Sequence, residues 1–165
     1  MRIKPIISFL LITLACPLII LAQEDKDDHS GHHHHTRNEV GGAVGVVYSL
    51  TEQHTASGFH LHYMRMFGGK LHNFGLAPGL EFILGEDSHY AIHVLAVYRP
   101  THGWWLGLGP GIAYFGHDNE LGFSGHVETG YEFDAGKIHF GPVLEYAWSN
   151  HDQHILIGLH LGVPF

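Results

Sequence analysis

From Glu39 to the end, apolar side chains fall on every second position of this chain. Phe59, Leu61 and Tyr63 alternate with His60, His62 and Met64; Phe74, Leu76, Leu80, Phe82 and Leu84 with Gly75, Ala77, Gly79 and Glu81. Ile155, Ile157, Leu159, Leu161, Val163 and Phe165 alternate with His154, Gly158, His160 and Gly162. Period two places the two sets on opposite faces of a strand, and no stretch carries helical spacing strong enough to compete. Eight such segments can be placed, roughly at 40–50, 58–67, 74–84, 89–99, 104–115, 121–133, 138–148 and 154–165. Turn-forming stretches such as Gly68-Gly69-Lys70 and Ser149-Asn150-His151-Asp152 separate them. Each segment has the length of a tilted membrane-spanning strand.

Three segments repeat. FGLAPGLEFIL (74–84), LGLGPGIAYFG (106–116) and IHFGPVLEYAW (138–148) align without gaps and space Pro78, Pro110 and Pro142 by 32 residues. One up-and-down hairpin has that length, so the repeat joins alternate strands of a meander. Proline removes a ladder donor, and its recurrence predicts a shared local bulge.

The two faces decide the surroundings. The Leu, Ile, Val and Phe of the apolar face would overfill an eight-stranded interior, whereas the Gly, Ala, His and Glu of the other face fit inside it. An apolar exterior around a polar interior is the membrane arrangement. With both termini on the periplasmic side, Phe67, Phe74, Tyr98, Trp104, Tyr131, Phe133 and Phe165 form a lower aromatic girdle. Tyr48, Phe82, Tyr90, Tyr114, Tyr146 and Trp148 form an upper one. The predicted class is all-β: an eight-stranded antiparallel up-and-down transmembrane β-barrel. Side chains fill so narrow an interior, which excludes a general porin.

The N-terminal residues stand apart. Arg2 and Lys4 precede an apolar run, Ile6–Leu21, that ends at Ala22 before the polar Gln23. Residues 1–22 read as a secretory signal peptide; the run is short for a membrane span and contains Pro17. Cys16 lies in a poor match to a lipoprotein box. Residues 23–38, QEDKDDHSGHHHHTRN, have no apolar periodicity and read as a disordered His/acid-rich arm, leaving 39–165 as the barrel. The signal peptide, the eight strands, the girdles and the terminal Phe165 together resemble the small OmpA/OmpX-like outer-membrane barrels. That resemblance implies the fold, the bacterial outer membrane with its lipid as surroundings, and the arm in the periplasm. It carries over no catalytic residue.

Composition narrows the function. A formal charge of −8 argues against nucleic acid, and a single Cys excludes a disulfide framework and Cys-rich zinc modules. Histidine is in excess, 18 residues against 8 Lys and Arg. His29 and His32, His33, His34 and His35, with Asp27 and Asp28, form a tract suited to divalent ions. The four external connections carry His54, His89, His117, Asp118, His151, Asp152 and His154, together with Glu52, Glu86, Asp87 and Glu120. Imidazole with carboxylate suits Zn, Ni or Cu(II). No spacing fixes a coordination geometry, so an ordinary polar loop set is the competing reading. The three periplasmic turns hold Lys70, Arg99 and Lys137, which predicts a basic inner rim.

The lumen is a third His population. His60, His62, Met64 and Met66 point inward on one strand, joined by Glu81, His93, His126, Glu128, Glu145 and His160. His with Met suits copper; a structural network in which His or Arg99 pairs the buried Glu is the alternative. Ser124, His126 and Glu128 read superficially like a hydrolytic set. All three face the lumen in mid-strand, and no His-x-Ser pair is placed for a lipid substrate, so no enzyme is expected. The function expected is transition-metal binding by the arm and external loops, with metal ions or a periplasmic metal-handling protein as partners. The alternative is a structural or adhesion barrel without a small ligand.

Overall fold

The computed structural model describes residues 38–85, 88–116 and 119–165. His29, His32–His35, Glu86, Asp87, His117 and Asp118 lie outside the described residues. Nine strand segments follow one another: β1 (Asn38–Ser49), β2 (Thr55–Met66), β3 (Phe74–Leu84), β4 (His89–Tyr98), β5 (Trp104–Phe115), β6 (Glu120–Tyr131), β7 (Phe133–Ala135), β8 (Ile138–Ser149) and β9 (Gln153–Pro164). β6 and β7 are two parts of one stave, interrupted at Glu132, and both pair with β8. Each strand pairs antiparallel with its sequence neighbour, and β1 pairs with β9, so eight staves close into an up-and-down barrel. The first and last described residues meet at the lower end, where the Phe165 amide donates to the Asn38 carbonyl at 2.9 Å.

The alternation maps onto the wall as expected. Outward side chains are apolar and bare: Leu159 is 64 % exposed and Phe123 64 %, while the inward Glu128 and His126 are each 1 % exposed. In water such a belt would be a large apolar patch; against lipid it is the favourable surface. Aromatic pairs mark both rims: Phe74–Tyr98 at 4.9 Å and Tyr131–Phe133 at 5.0 Å below, Phe82–Tyr90 and Tyr146–Trp148 each at 5.8 Å above.

The repeated prolines correct one expectation. Pairing lapses over Tyr63–Met64 against Ala77–Pro78, over Val94–Leu95 against Gly109–Pro110, and over Tyr131–Glu132 against Gly141–Pro142. It then resumes in unchanged register. A bulge would add a residue to one strand; here none is added. Each proline lacks the N–H that its stave would offer the preceding one, and the ladder simply skips.

Inside, glycine makes room for imidazole. A Cβ on Gly79 would strike the His93 ring, and one on Gly41 would lie 2.6 Å from His160 Nε2. Small residues on one stave therefore receive rings from the next, the size matching a narrow barrel needs. Val47, Ile83 and Leu156 pack towards the upper end, and Met64, Met66, Leu95, Val97 and Trp105 in the lower half.

Candidate metal centre in the barrel lumen

Alternation turns Glu81 of β3, His89 of β4 and His154 of β9 inward beneath the upper mouth. His154 Nε2 lies 3.3 Å and His89 Nε2 3.6 Å from Glu81 Oε1. Two ligands bound at about 2.0–2.1 Å with a tetrahedral angle are themselves about 3.3–3.4 Å apart, so small adjustments would let these donors share an ion. Both Glu81 oxygens and His154 Nε2 are buried and make no hydrogen bond. Behind His154 stands Asp152, from the β8–β9 connection. His154 Nδ1 lies 2.8 Å from Asp152 Oδ2, and Ser49 Oγ donates to Asp152 Oδ1 at 2.8 Å. A ring protonated at Nδ1 alone would aim its Nε2 lone pair at Glu81, the carboxylate–histidine arrangement that orients a metal ligand; a second proton, on Nε2, would instead bridge the two carboxylates. Burial alone would push the Asp152 carboxyl up; the hydrogen bonds from His154 and Ser49 prevail and hold it below its ordinary value.

Above these donors is a cup of about 110 Å³, lined by Ser49, Glu52, His54, His89, His151 and Asp152 among others. His54, His89, His151 and Asp152 thus do surround one mouth. His151 faces Glu120 at 3.6 Å. Among the described residues, the groups of three donors close enough to share an ion are in the lumen and at its lower end, and neither His54 nor His151 belongs to one.

Deeper donors overlap the first set. Glu81 Oε2 is 3.6 Å from His126 Nδ1, which is 2.8 Å from Glu145 Oε1. Glu145 Oε2 lies 3.7 Å from His60 Nδ1, and Glu128 Oε1 lies 3.2 Å from the same atom. His60 Nε2 meets His93 Nε2 at 2.8 Å. Towards the lower end His62, His160 and Glu39 form another group, followed by Arg99, Glu132 and His139. Five buried carboxylates (Glu39, Glu81, Glu128, Glu132 and Glu145) therefore face the lumen, and Arg99 is the one Lys or Arg paired with any of them among the described residues. Buried charge of one sign demands compensation, by protons or by bound cations.

Two expectations change. Arg99 does not make the lower rim basic: it turns inward, 3.4 Å from Glu39 and 3.0 Å from Glu132. Met64 is buried as expected, with its sulfur 3.3 Å from an Arg99 nitrogen. Ser124 does meet a histidine, with Oγ 3.1 Å from His126 Nε2, and the acid behind that ring is Glu145 rather than Glu128. The space beside this trio is about 10 Å³, too little for more than a single water. An acyl substrate has no room there.

Glu39 and Glu132 also face inward by parity. Glu39 shares that of Gly41 and Ala43, and Glu132 that of His126 and Glu128, the signal that would have found both.

No family model and no curated protein matches the sequence. Among solved structures, the chain is similar to Neisserial surface protein A, with a TM-score of 0.58 at 12 % identity over 78 % of this chain and 96 % of that one. It is also similar to Ail, the attachment invasion locus protein of Yersinia pestis, with a TM-score of 0.50 at 17 % identity over 78 % and 96 %. A third is the N-terminal β-barrel domain of Pseudomonas aeruginosa OprF, with a TM-score of 0.50 at 13 % identity over 78 % and 98 %. The chain has the fold of the small eight-stranded outer-membrane barrels.

Proposed function

We propose that this is a bacterial outer-membrane barrel that binds a divalent transition-metal ion through Glu81, His89 and His154, just inside its external mouth. Two imidazoles and a carboxylate suit Zn²⁺, and Ni²⁺ or Cu²⁺ next, with a fourth position open towards the cup. The observation that carries the reading is the alignment of Ser49, Asp152, His154 and Glu81, in which an oriented Nε2 and an unbonded carboxylate face each other in a buried site. The mouth residues His54, His151 and Glu52 would gather ions at the entrance. On the periplasmic side, the arm with His29 and His32–His35 would hold ions loosely, buffering them or passing them to a periplasmic metal-handling protein. Outer-membrane lipid surrounds the wall. Metal scavenging or tolerance is the role this arrangement fits.

The test is calorimetric titration of the protein in detergent micelles with Zn²⁺, beside the double variant Glu81→Gln/His154→Ala. We expect the variant to lose one tight binding event while the weaker events remain. Identical titrations would overturn the assignment and favour a structural or adhesion barrel without a small ligand.

A further inference from the structure

At the other end of the lumen, β1, β2 and β9 bring Glu39, His62 and His160 together. His62 Nε2 and His160 Nε2 are 3.3 Å apart, and lie 3.9 Å and 3.6 Å from Glu39 Oε1. Their rings are stacked, 5.0 Å between centroids and 7° from parallel. A nitrogen–nitrogen contact of 3.3 Å is long for a hydrogen bond and matches the spacing of two ligands on one ion.

The donors crowd onto two glycines. A methyl group on Gly41 would lie 2.6 Å from His160 Nε2 and 2.9 Å from His62 Nε2, and one on Gly162 would lie 2.6 Å from Glu39 Oε1, all closer than a Cβ can approach. Neither glycine can take a side chain without displacing a donor. Glu39 Oε1 is buried without a hydrogen bond. Its other oxygen is held from behind, 3.1 Å from His139 Nδ1 and 3.4 Å from Arg99. Glu39 and Glu132 outnumber Arg99, so the nest needs further positive charge, which a proton on this acid–imidazole cluster or a bound cation supplies.

We propose that Glu39, His62 and His160 form a second, separate site for a divalent transition-metal ion at the periplasmic end of the lumen. It shares no residue with the upper site, so the two can stand or fall apart. Arg99 and His139, with side chains 10 % and 15 % exposed, are the layer between it and the solvent below. An ion would enter past them from the periplasm. The barrel would then hold one ion at each end of its lumen.

Trp105 supplies a local reporter. It is buried, and its ring lies 6.5 Å from that of His62 and 6.1 Å from that of His160, whereas Trp104 and Trp148 face outward. In a Trp104→Phe/Trp148→Phe background, Ni²⁺ at the lower site should quench most of the Trp105 emission. His160→Gln, which removes an imidazole, and Gly41→Ala, which keeps every donor but pushes both imidazole nitrogens out of place, should each abolish the quenching. Glu81→Gln/His154→Ala should leave it intact. Migration of unheated samples as folded barrels on gels selects the variants to compare, and either lower-site variant suffices. Absence of quenching in the parent would overturn the proposal. So would its persistence in His160→Gln or Gly41→Ala, or its loss in Glu81→Gln/His154→Ala.

Discussion

Asp152→Asn removes a charge while keeping a shape. The carboxylate accepts from His154 Nδ1 and from Ser49 Oγ, both at 2.8 Å. An asparagine oxygen can keep the first bond, while its amide donates to the serine oxygen. The imidazole therefore stays in place and loses only the negative charge behind it. Loss of such a supporting carboxylate costs about 10–100-fold in metal affinity. Retained geometry places this case near tenfold, about 1.4 kcal/mol. At a Zn²⁺ concentration well above both dissociation constants, the stabilisation of the folded barrel by Zn²⁺ should fall by that same amount. Denaturant unfolding in micelles, with and without Zn²⁺, reads it. Histidines outside the barrel wall contribute little to this readout if they bind the ion equally in the folded and unfolded chain. An equal Zn²⁺-induced shift in Asp152→Asn and the parent protein would refute the reasoning. Without metal, acid gives a second readout. The folded-state carboxyl is held below its ordinary value, so its contribution is full above the unfolded value of about 4 and is lost as pH falls through the folded one. Asparagine should flatten that part of the acid profile.

Gly141→Ala and Gly109→Ala should each destabilise the barrel by about 1–3 kcal/mol in denaturant titrations, because the new Cβ would collide with the carbonyl oxygen of Tyr131 or of Val94. Leu159→Arg, on the outer face of β9, should cost about 2–4 kcal/mol in lipid vesicles, against about 0–1 kcal/mol for Phe67→Arg at the lower rim. Ser124→Ala should leave folding and Zn²⁺ titration unchanged, and neither it nor the parent should hydrolyse a short-chain nitrophenyl ester. Turnover by the parent that vanishes in Ser124→Ala would show the lumen to be open to substrate.

Strand order, closure and facing were legible because period two is a strong signal over eight consecutive segments. His60, His62, Met64 and Met66 are buried together as their parity required. Which inward residues meet was not legible, because that depends on the stagger of one stave against the next. Glu145 rather than Glu128 supports His126 for this reason: Glu128 is on the same strand, while Glu145 reaches across from β8. The same stagger brings His154 of the last strand over Glu81 of the third. Arg99 adjoins a turn in sequence and was a candidate partner for buried Glu; which glutamates it would meet was not legible. Two buried glutamates draw it inward, and neither is near it in sequence.

The three proline lapses have a mechanical consequence. A cask holds its shape through hoops, and here the hydrogen-bond hoop is cut at three of eight seams, each beside Pro78, Pro110 or Pro142. The staves there are held by covalent continuity and side-chain packing rather than by amide pairing. The cuts border Met64, Leu95 and Glu132, of which Glu132 lies 3.7 Å from His160 of the lower donor group. Lateral pressure from the bilayer would flex the wall first along this line. Amide exchange should therefore run faster at Tyr63 and Val94 than at their neighbours His60 and Ile92, making the wall around the lower histidines the most compliant part of the cylinder.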